Sequence, residues 1–351
     1  MSMGGRYPGW NPGIELRDDW LGLVAEDIID PGREIVDPHH HLWVHGTPEN
    51  PAVYEMDELW ADTGSGHNVV QTMYMECRSY WDPDAPAHLQ SVAETAHVAG
   101  LAATAGPGQS HIAGIVSNAD LTLDPGVLDE ALAAHKEAGQ GLFKGIRHSA
   151  ARDPEPETLM IPGRGVEGQY ENPDFRRGVA QLGARGLTYD TWHYHHQNRD
   201  YIDLVRAVPG TTFVLDHFGT PLGVGRFRGK RDEIFEVWKT DMAELAKCPN
   251  VVAKIGGLAM PDNGWGWMTR DRPPTSDELV KAQRDWYSHM IDCFGPQRCM
   301  FESNFPVDRV SVSYPVLWNF FKKIAANFSE AEKQAMFSGT ARRVYGLAPA
   351  A

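Results

Sequence analysis

The sequence predicts an α/β fold, a single (β/α)8 TIM barrel, and three observations lead there. Eight short β-rich runs recur along the chain, several with the near-continuous apolar cores of strands buried on both faces of a parallel sheet. Helical segments with their own start signals stand between them, and no linker-like change of composition interrupts the alternation. The rival architecture, an open doubly wound sheet, calls for a glycine-rich phosphate loop after its first strand, and "DPHHHLWVHG" is not one. Because 351 residues suit either one large barrel or two average domains, the alternation decides.

The strand runs are "EIVDPHHHL" from Glu34, "NVVQTMYMEC" from Asn68, "HIAGIVSNADL" from His111 and "GLFKGIRH" from Gly141. They continue with "GLTYDTWHYHH" from Gly186, "TTFVLDHFG" from Thr211, "NVVAKIGGL" from Asn250 and "RCMFESNFP" from Arg298. Among the helices, "LDPGVLDEALAAHKEAG" offers Asp124 as N-cap with Pro125 at the first helical position, and Asn172–Pro173 repeats the device. "RDEIFEVWKTDMAELAKC" has apolar residues at helical spacing, and Ser329 with Glu332 forms a capping box. Residues 1–33 read as an arm packed on a barrel spanning 34–348. The long excursion from Ala259 to Glu278 after the seventh strand reads as a lid offering Trp265 and Trp267 to a substrate.

Composition narrows the function classes. A formal net charge of -15 disfavours nucleic acid and anionic membrane surfaces as partners, while local arginines can still reverse the field inside a pocket. Cys77, Cys248, Cys293 and Cys299 are scattered without a CxxC pair, which suits a reducing compartment. No apolar leader stretch and no run of about 18 apolar residues occurs, so the expected setting is cytoplasmic. A homo-oligomer is compatible with this composition.

The chemistry gathers at the strand ends. On a regular strand Asp37, His39 and His41 share one face and His40 the other, and two imidazoles at i and i+2 can chelate one metal ion. His40 and His45 read as structural or surface residues. The fourth strand ends with Lys144, Arg147 and His148, where Arg147 offers a planar fork for a carboxylate or carbonyl oxygen, or else an internal salt bridge. The fifth ends with His193 and His195 on one face and His196 on the other, and periodicity does not choose among them as a third ligand. Asp216, His217 and Gly219 end the sixth, with His217 suited to acid/base work. Glu302 and Asn304 share a face of the eighth, with Asp308 just beyond, and Glu76 on the second could hold an arginine.

The DxHxH pattern at Asp37, His39 and His41, "GIRH" at 145–148, "DHFG" at 216–219 and "MFESNFPVD" at 300–308 resemble the amidohydrolase superfamily. The branch is that of amidohydrolase-related TIM-barrel hydrolases, which includes 2-pyrone-4,6-dicarboxylate and sugar-lactone lactonases. The resemblance runs from Ile35 to the C-terminal "GTARRVYGL". It implies that His39 and His41 are the first-strand metal pair, with His195, or His196 in its place, as the fifth-strand ligand. It implies further that His217 polarises substrate and that Arg147 holds a substrate oxygen. Asn304 stands where such relatives carry an aspartate, and an amide cannot be a general base. Glu302, two positions upstream on the same face, is therefore the candidate base or metal ligand, and Asn304, Trp265 and Trp267 the candidate substrate contacts.

The expected function is a hydrolase that opens a lactone or related cyclic ester of a small, carboxylated or aromatic-derived compound. Its cofactor is a divalent metal, zinc or manganese, although some lactonases of the branch work without one. The alternative is a metal-dependent non-oxidative decarboxylase of an aromatic or enoic acid. A degenerate barrel that only binds a ligand has the Asn304 departure as its one support.

Overall fold

The structure, a computed structural model, describes residues 17–47 and 50–349, without the side chains of 45–51. Residues 1–16 of the expected arm lie outside the described residues. All eight expected strands form: β1 (Glu34–His40), then, after the small hairpin β2 (Trp43–Thr47) and β3 (Asn50–Tyr54), β4 (Asn68–Met75) and β5 (His111–Ser117). β6 (Phe143–Ile146), β7 (Thr188–Thr191), β8 (Thr212–Leu215), β9 (Val251–Lys254) and β10 (Cys299–Met300) complete the set.

Setting the hairpin aside, the strands pair in parallel in chain order from β1 to β10. Just past β10 the sheet returns to β1: Asn304 N–H donates to His39 O at 3.0 Å and His41 N–H to Phe305 O at 2.8 Å. These bonds close a (β/α)8 barrel, a single domain with helices between its strands. Each strand is buried almost throughout, which explains the near-continuous apolar runs.

The barrel interior is filled near its base by Val36, Met73, Met75, Val116, Val214, Val252 and Met300, and Tyr345 and Leu347 pack beneath them. A larger apolar layer, with Ile35, Leu215, Trp238, Tyr287 and Phe321 among its members, lies between sheet and helices. Sequence signals set the helix starts unevenly. Asn172 accepts from Asp174 N–H and the Ser329/Glu332 box is formed, whereas Asp124 makes no side-chain cap. No helix among the described residues is long and apolar enough to cross a membrane. All four cysteines are free thiols. With the lower barrel packed by apolar side chains, polar groups collect at the C-terminal strand ends, and that layer holds the candidate site.

Candidate active site

β1 does not keep a simple alternation. Its pairing with β4 shifts between Asp37 and His40, where Pro38 interrupts the ladder. Asp37 consequently turns away from the barrel axis: it accepts from Ser303 N–H at 2.9 Å and from the Tyr314 hydroxyl at 3.0 Å. Burial pushes its pKa up to about 6 against those hydrogen bonds. The expectation that Asp37 shares the face of His39 and His41 is therefore corrected by the irregularity at Pro38. His40 is buried against Tyr74, and burial lowers its pKa to about 3, which keeps it neutral.

His39 and His41 do come together. Their Nε2 atoms lie 3.3 Å apart. Each ring turns its other nitrogen to an acceptor: His41 Nδ1–H donates to Met75 O at 2.9 Å, and His39 Nδ1 is 2.9 Å from Glu302 Oε2. His217 repeats the arrangement, its Nδ1 lying 2.7 Å from Glu302 Oε1. One carboxyl thus orients two imidazoles, in the manner by which outer partners fix the tautomers of metal-binding or catalytic histidines. Glu302 is fully buried behind the two rings and does not line the substrate cavity, whereas His217 does. Nor is it tied to an arginine, because Arg147 pairs with Glu76.

That pairing is close. Arg147 Nε–H donates to Glu76 Oε1 at 2.9 Å, Nη2 donates to Glu76 O, and Nη1 lies 3.4 Å from His39 Nε2. Arg147 nonetheless lines the cavity, so the internal salt bridge and a cavity-facing position are combined. Burial opposes its charge, but Glu76 and Asp216 outweigh burial and raise its pKa.

Lys254 at the end of β9 was missed in the sequence reading. Its ammonium is fully buried, 2.9 Å from Asp190 Oδ2, 3.1 Å from Asp216 Oδ1 and 3.4 Å from His39 Nδ1. Burial works against this charge, yet Asp190, Asp216 and Glu302 hold its pKa above the usual lysine value. A lysine inside "VVAKIGG" was the available signal, since a charge in an apolar run needs a buried partner. Asp190 inside "LTYDTW" was its counterpart, and Asp190 also accepts from the Tyr345 hydroxyl at 2.5 Å.

Burial sets the protonation of the cluster. It pushes Glu302 up to about 8, against the attraction of Lys254, and Asp216 up to about 6. It lowers His217 to about 3, and His39 and His41 well below the ordinary histidine value. Neutral imidazoles are the form that ligates metal, and a carboxyl of raised pKa among them suits proton transfer.

The residues also fit a divalent cation. The Nε2 atoms of His39 and His41 face one another across 3.3 Å, and with a proton on each Nδ1 both lone pairs would be open to one ion. That distance equals the ligand spacing about a tetrahedral ion with Zn–N bonds of roughly 2.0 Å. Asp216 adds a buried carboxylate whose Oδ1 is ion-paired with Lys254 at 3.1 Å, and His39, Asp216 and His217 can bring ligand atoms within 4.8 Å of one another. Glu76 and Asp216 flank Arg147, and Asp190 and Asp216 flank Lys254, so three buried carboxyl groups share two buried cations.

The fifth-strand histidines stand elsewhere, because the chain leaves the barrel wall after Thr191. His195 Nδ1 accepts from Leu222 N–H at 3.1 Å and its ring edges Phe227. His193 bonds Asn198 at 3.0 Å, and His196 bonds Arg152 O at 3.1 Å. None of the three joins the cluster of His39, Asp216 and His217. The side chain of His45 lies outside the described residues.

A cavity of about 220 Å³ opens above the cluster, lined by His41, Arg147, His217 and Asn304 and walled by Trp43 and Trp192. Asn304 reaches it with a φ of 55°, a left-handed backbone that asparagine tolerates, and its amide donates to Asp308 at 2.9 Å. Trp265 and Trp267 do not line this cavity. They stack at 6.1 Å between Arg231, 3.4 Å above Trp265, and Arg270, 4.2 Å from Trp267. The guanidinium groups occupy the aromatic faces expected to meet substrate, and Met260 is the residue of that loop that reaches the cavity.

Known proteins bear on this geometry. The family model described as amidohydrolase matches residues 36–347. The chain is 31% identical over 330 residues to the uncharacterized protein y4mH of Sinorhizobium fredii, across 89% of this chain and 98% of that protein. It is 28% identical over 323 residues to an L-fucono-1,5-lactonase of Burkholderia multivorans, across 89% of this chain and 96% of the other. A solved amidohydrolase from Burkholderia multivorans with bound zinc superposes with a TM-score of 0.70 at 27% identity, over 90% of this chain and all of that one.

Proposed function

The chain belongs to the amidohydrolase family, and from that premise we propose that it opens a lactone or related cyclic ester of a small compound, with zinc or manganese at His39 and His41. The observation that carries this reading is the facing pair of Nε2 atoms, 3.3 Å apart and aimed by acceptors on the opposite ring nitrogens. The similarity to an L-fucono-1,5-lactonase supports the substrate class, and the zinc in a solved relative supports the metal. Asp216 is a further candidate ligand. Bound there, the ion would polarise the substrate carbonyl as a Lewis acid.

The chain's own groups would do the rest. His217 faces the cavity with Nε2, its Nδ1 being held by Glu302. Nε2 takes a proton from water as the water oxygen attacks the carbonyl carbon. The ring C–O bond then breaks, and the same nitrogen returns the proton to the leaving oxygen, giving a hydroxy acid. The Arg147 guanidinium stabilises charge that develops on the carbonyl oxygen. Glu302 acts behind His217 by fixing its tautomer, which replaces the expected role of a base in direct contact with substrate. Asn304 remains a substrate contact in this reading, and Trp265 and Trp267 do not.

Product analysis on a panel of lactones and aromatic acids tests the proposal. Acid release in a pH-stat without carbon dioxide supports it. Carbon dioxide evolution from an aromatic or enoic acid, with no lactone opened, would replace it with the decarboxylase.

A further inference from the structure

His217 reaches the cavity from a backbone conformation that few side-chain residues adopt. Four successive residues after β8 have positive φ: His217 at 54°, Phe218 at 60°, Gly219 at 66° and Thr220 at 41°. In this left-handed region a Cβ crowds the backbone, most of all for a bulky or β-branched residue such as Phe218 or Thr220. Such a run persists only where its surroundings over-determine it.

One side of the turn is held by the helix Arg231–Leu245 and its neighbour. The Trp238 indole donates to Phe218 O at 2.8 Å, and the Phe218 ring packs on Tyr287 with centroids 4.8 Å apart. Within the turn, Gly219 N–H donates to Asp216 O at 3.0 Å and Thr220 N–H to His217 O at 2.8 Å. The buried Thr220 hydroxyl has no partner among the described residues, so it adds no restraint.

The other side is held by the segment that follows β7. His195 N–H donates to Thr220 O at 3.3 Å, and His195 Nδ1 accepts from Leu222 N–H at 3.1 Å. One residue thus grips a carbonyl and an amide on either side of Pro221, where the left-handed run ends. Burial lowers the His195 pKa to about 3, so the ring stays neutral and keeps its Nδ1 lone pair for that amide. Its ring packs edge-on against Phe227 with centroids 4.7 Å apart. His193 backs the same turn: its Nε2–H donates to Asn198 Oδ1 at 3.0 Å, and that oxygen lies 2.6 Å from where a Cβ on Gly219 would fall.

We propose that His195 is a positioning residue for His217. By holding both sides of Pro221 it keeps the turn 217–220 left-handed, with the His217 ring on Glu302 and Nε2 toward the cavity. Released at Leu222, the turn would relax toward negative φ and carry the ring off Glu302, which is 2.7 Å away in the clamped state. The expected fifth-strand ligand therefore acts on the chemistry through the backbone that carries His217. The inference rests on the lactone reading only for the reaction that His217 serves.

Three variants test it. His195→Phe and His195→Leu fill the space without an acceptor for Leu222 N–H, whereas the carboxamide oxygen of His195→Asn can take the place of Nδ1. On a lactone that wild type opens, the first two should lose roughly tenfold or more in kcat with KM within about twofold, and His195→Asn should stay within about threefold in both. Metal content, by elemental mass spectrometry, should be unchanged in all three. Crystal structures give a readout that needs no turnover: His217 Nδ1 leaves Glu302 in His195→Phe and His195→Leu and stays on it in His195→Asn. Wild-type kcat in either of the first two, an asparagine variant no better than they are, or His217 still on Glu302 in both would overturn the assignment. Loss of metal would overturn it by making His195 a ligand of the ion, and failure of both variants to fold would reduce it to a structural role. If wild type opens no lactone, the proposed function falls, and the crystal structures alone decide the clamp.

Discussion

Above about pH 8, where Glu302 is ionised, replacing it by glutamine removes a charge and one acceptor while preserving shape. In the wild type its two oxygens lie 2.7 Å from His217 Nδ1 and 2.9 Å from His39 Nδ1. A glutamine oxygen can satisfy one ring, but its NH2 then faces the N–H of the other. That second imidazole must flip tautomer and present an N–H where it had presented a lone pair. A hydrogen bond to a charged group contributes about 1.5–3 kcal/mol, and tenfold in rate corresponds to about 1.4 kcal/mol, so kcat/KM should fall roughly 10- to 150-fold. If His39 is the ring that flips, metal affinity falls as well. The assay is acid release from a lactone that wild type opens, with circular dichroism and melting temperature recorded on the same samples. A folded variant within twofold of wild type would refute the claim that this carboxyl orients the two rings.

Further outcomes follow from other contacts. Gly257→Ala would set a Cβ 2.4 Å from His217 Nδ1 at a φ of +76°, so His217 must move and kcat should drop about 10²-fold, read by steady-state kinetics. Lys254→Met leaves Asp190 and Asp216 buried without their shared cation, and a urea midpoint should report a loss of about 3–5 kcal/mol. Trp265→Ala should leave KM unchanged, because that ring is stacked between Arg231 and Trp267 outside the cavity. His135 is buried, with Nε2–H donated to Asn118 O at 3.0 Å, and burial lowers its pKa to about 4 from the ordinary 6.5. A depressed pKa contributes stability that is present above pH 6.5 and lost as pH falls through about 4. The stability gap between wild type and His135→Gln should therefore narrow on acidification across that window. A constant gap would contradict the neutral histidine.

Fold and site were legible to different depths. Strands buried on both faces leave apolar runs, so all eight could be read, and the polar strand ends marked where His39, His41, Arg147 and His217 stand. What failed depended on geometry beyond periodicity. Alternation assumed an uninterrupted β1, and the shift at Pro38 sent Asp37 to Tyr314 instead of into the barrel. Alternation also had no means of knowing that β7 ends at Thr191, which carries His195 away to Leu222 and Phe227. The Trp265 and Trp267 loop suggested a lid by composition, but Trp265 is covered by Arg231 from a separate helix and Trp267 by the loop's own Arg270. Lys254 and Asp190 were visible as charges in apolar strands, and only their mutual proximity gives them meaning.

The central claim is that His39 and His41 hold a divalent ion on which lactone opening depends. The measurement that meets it most directly is metal content of wild type and His39→Ala by elemental mass spectrometry, with lactone turnover before chelation, after it and after metal is restored. The account predicts tightly held zinc or manganese in wild type, little in the variant, and activity that is lost and regained with the ion. A metal-free wild type whose turnover is indifferent to chelator would contradict it, and the facing imidazoles would then act on the substrate themselves.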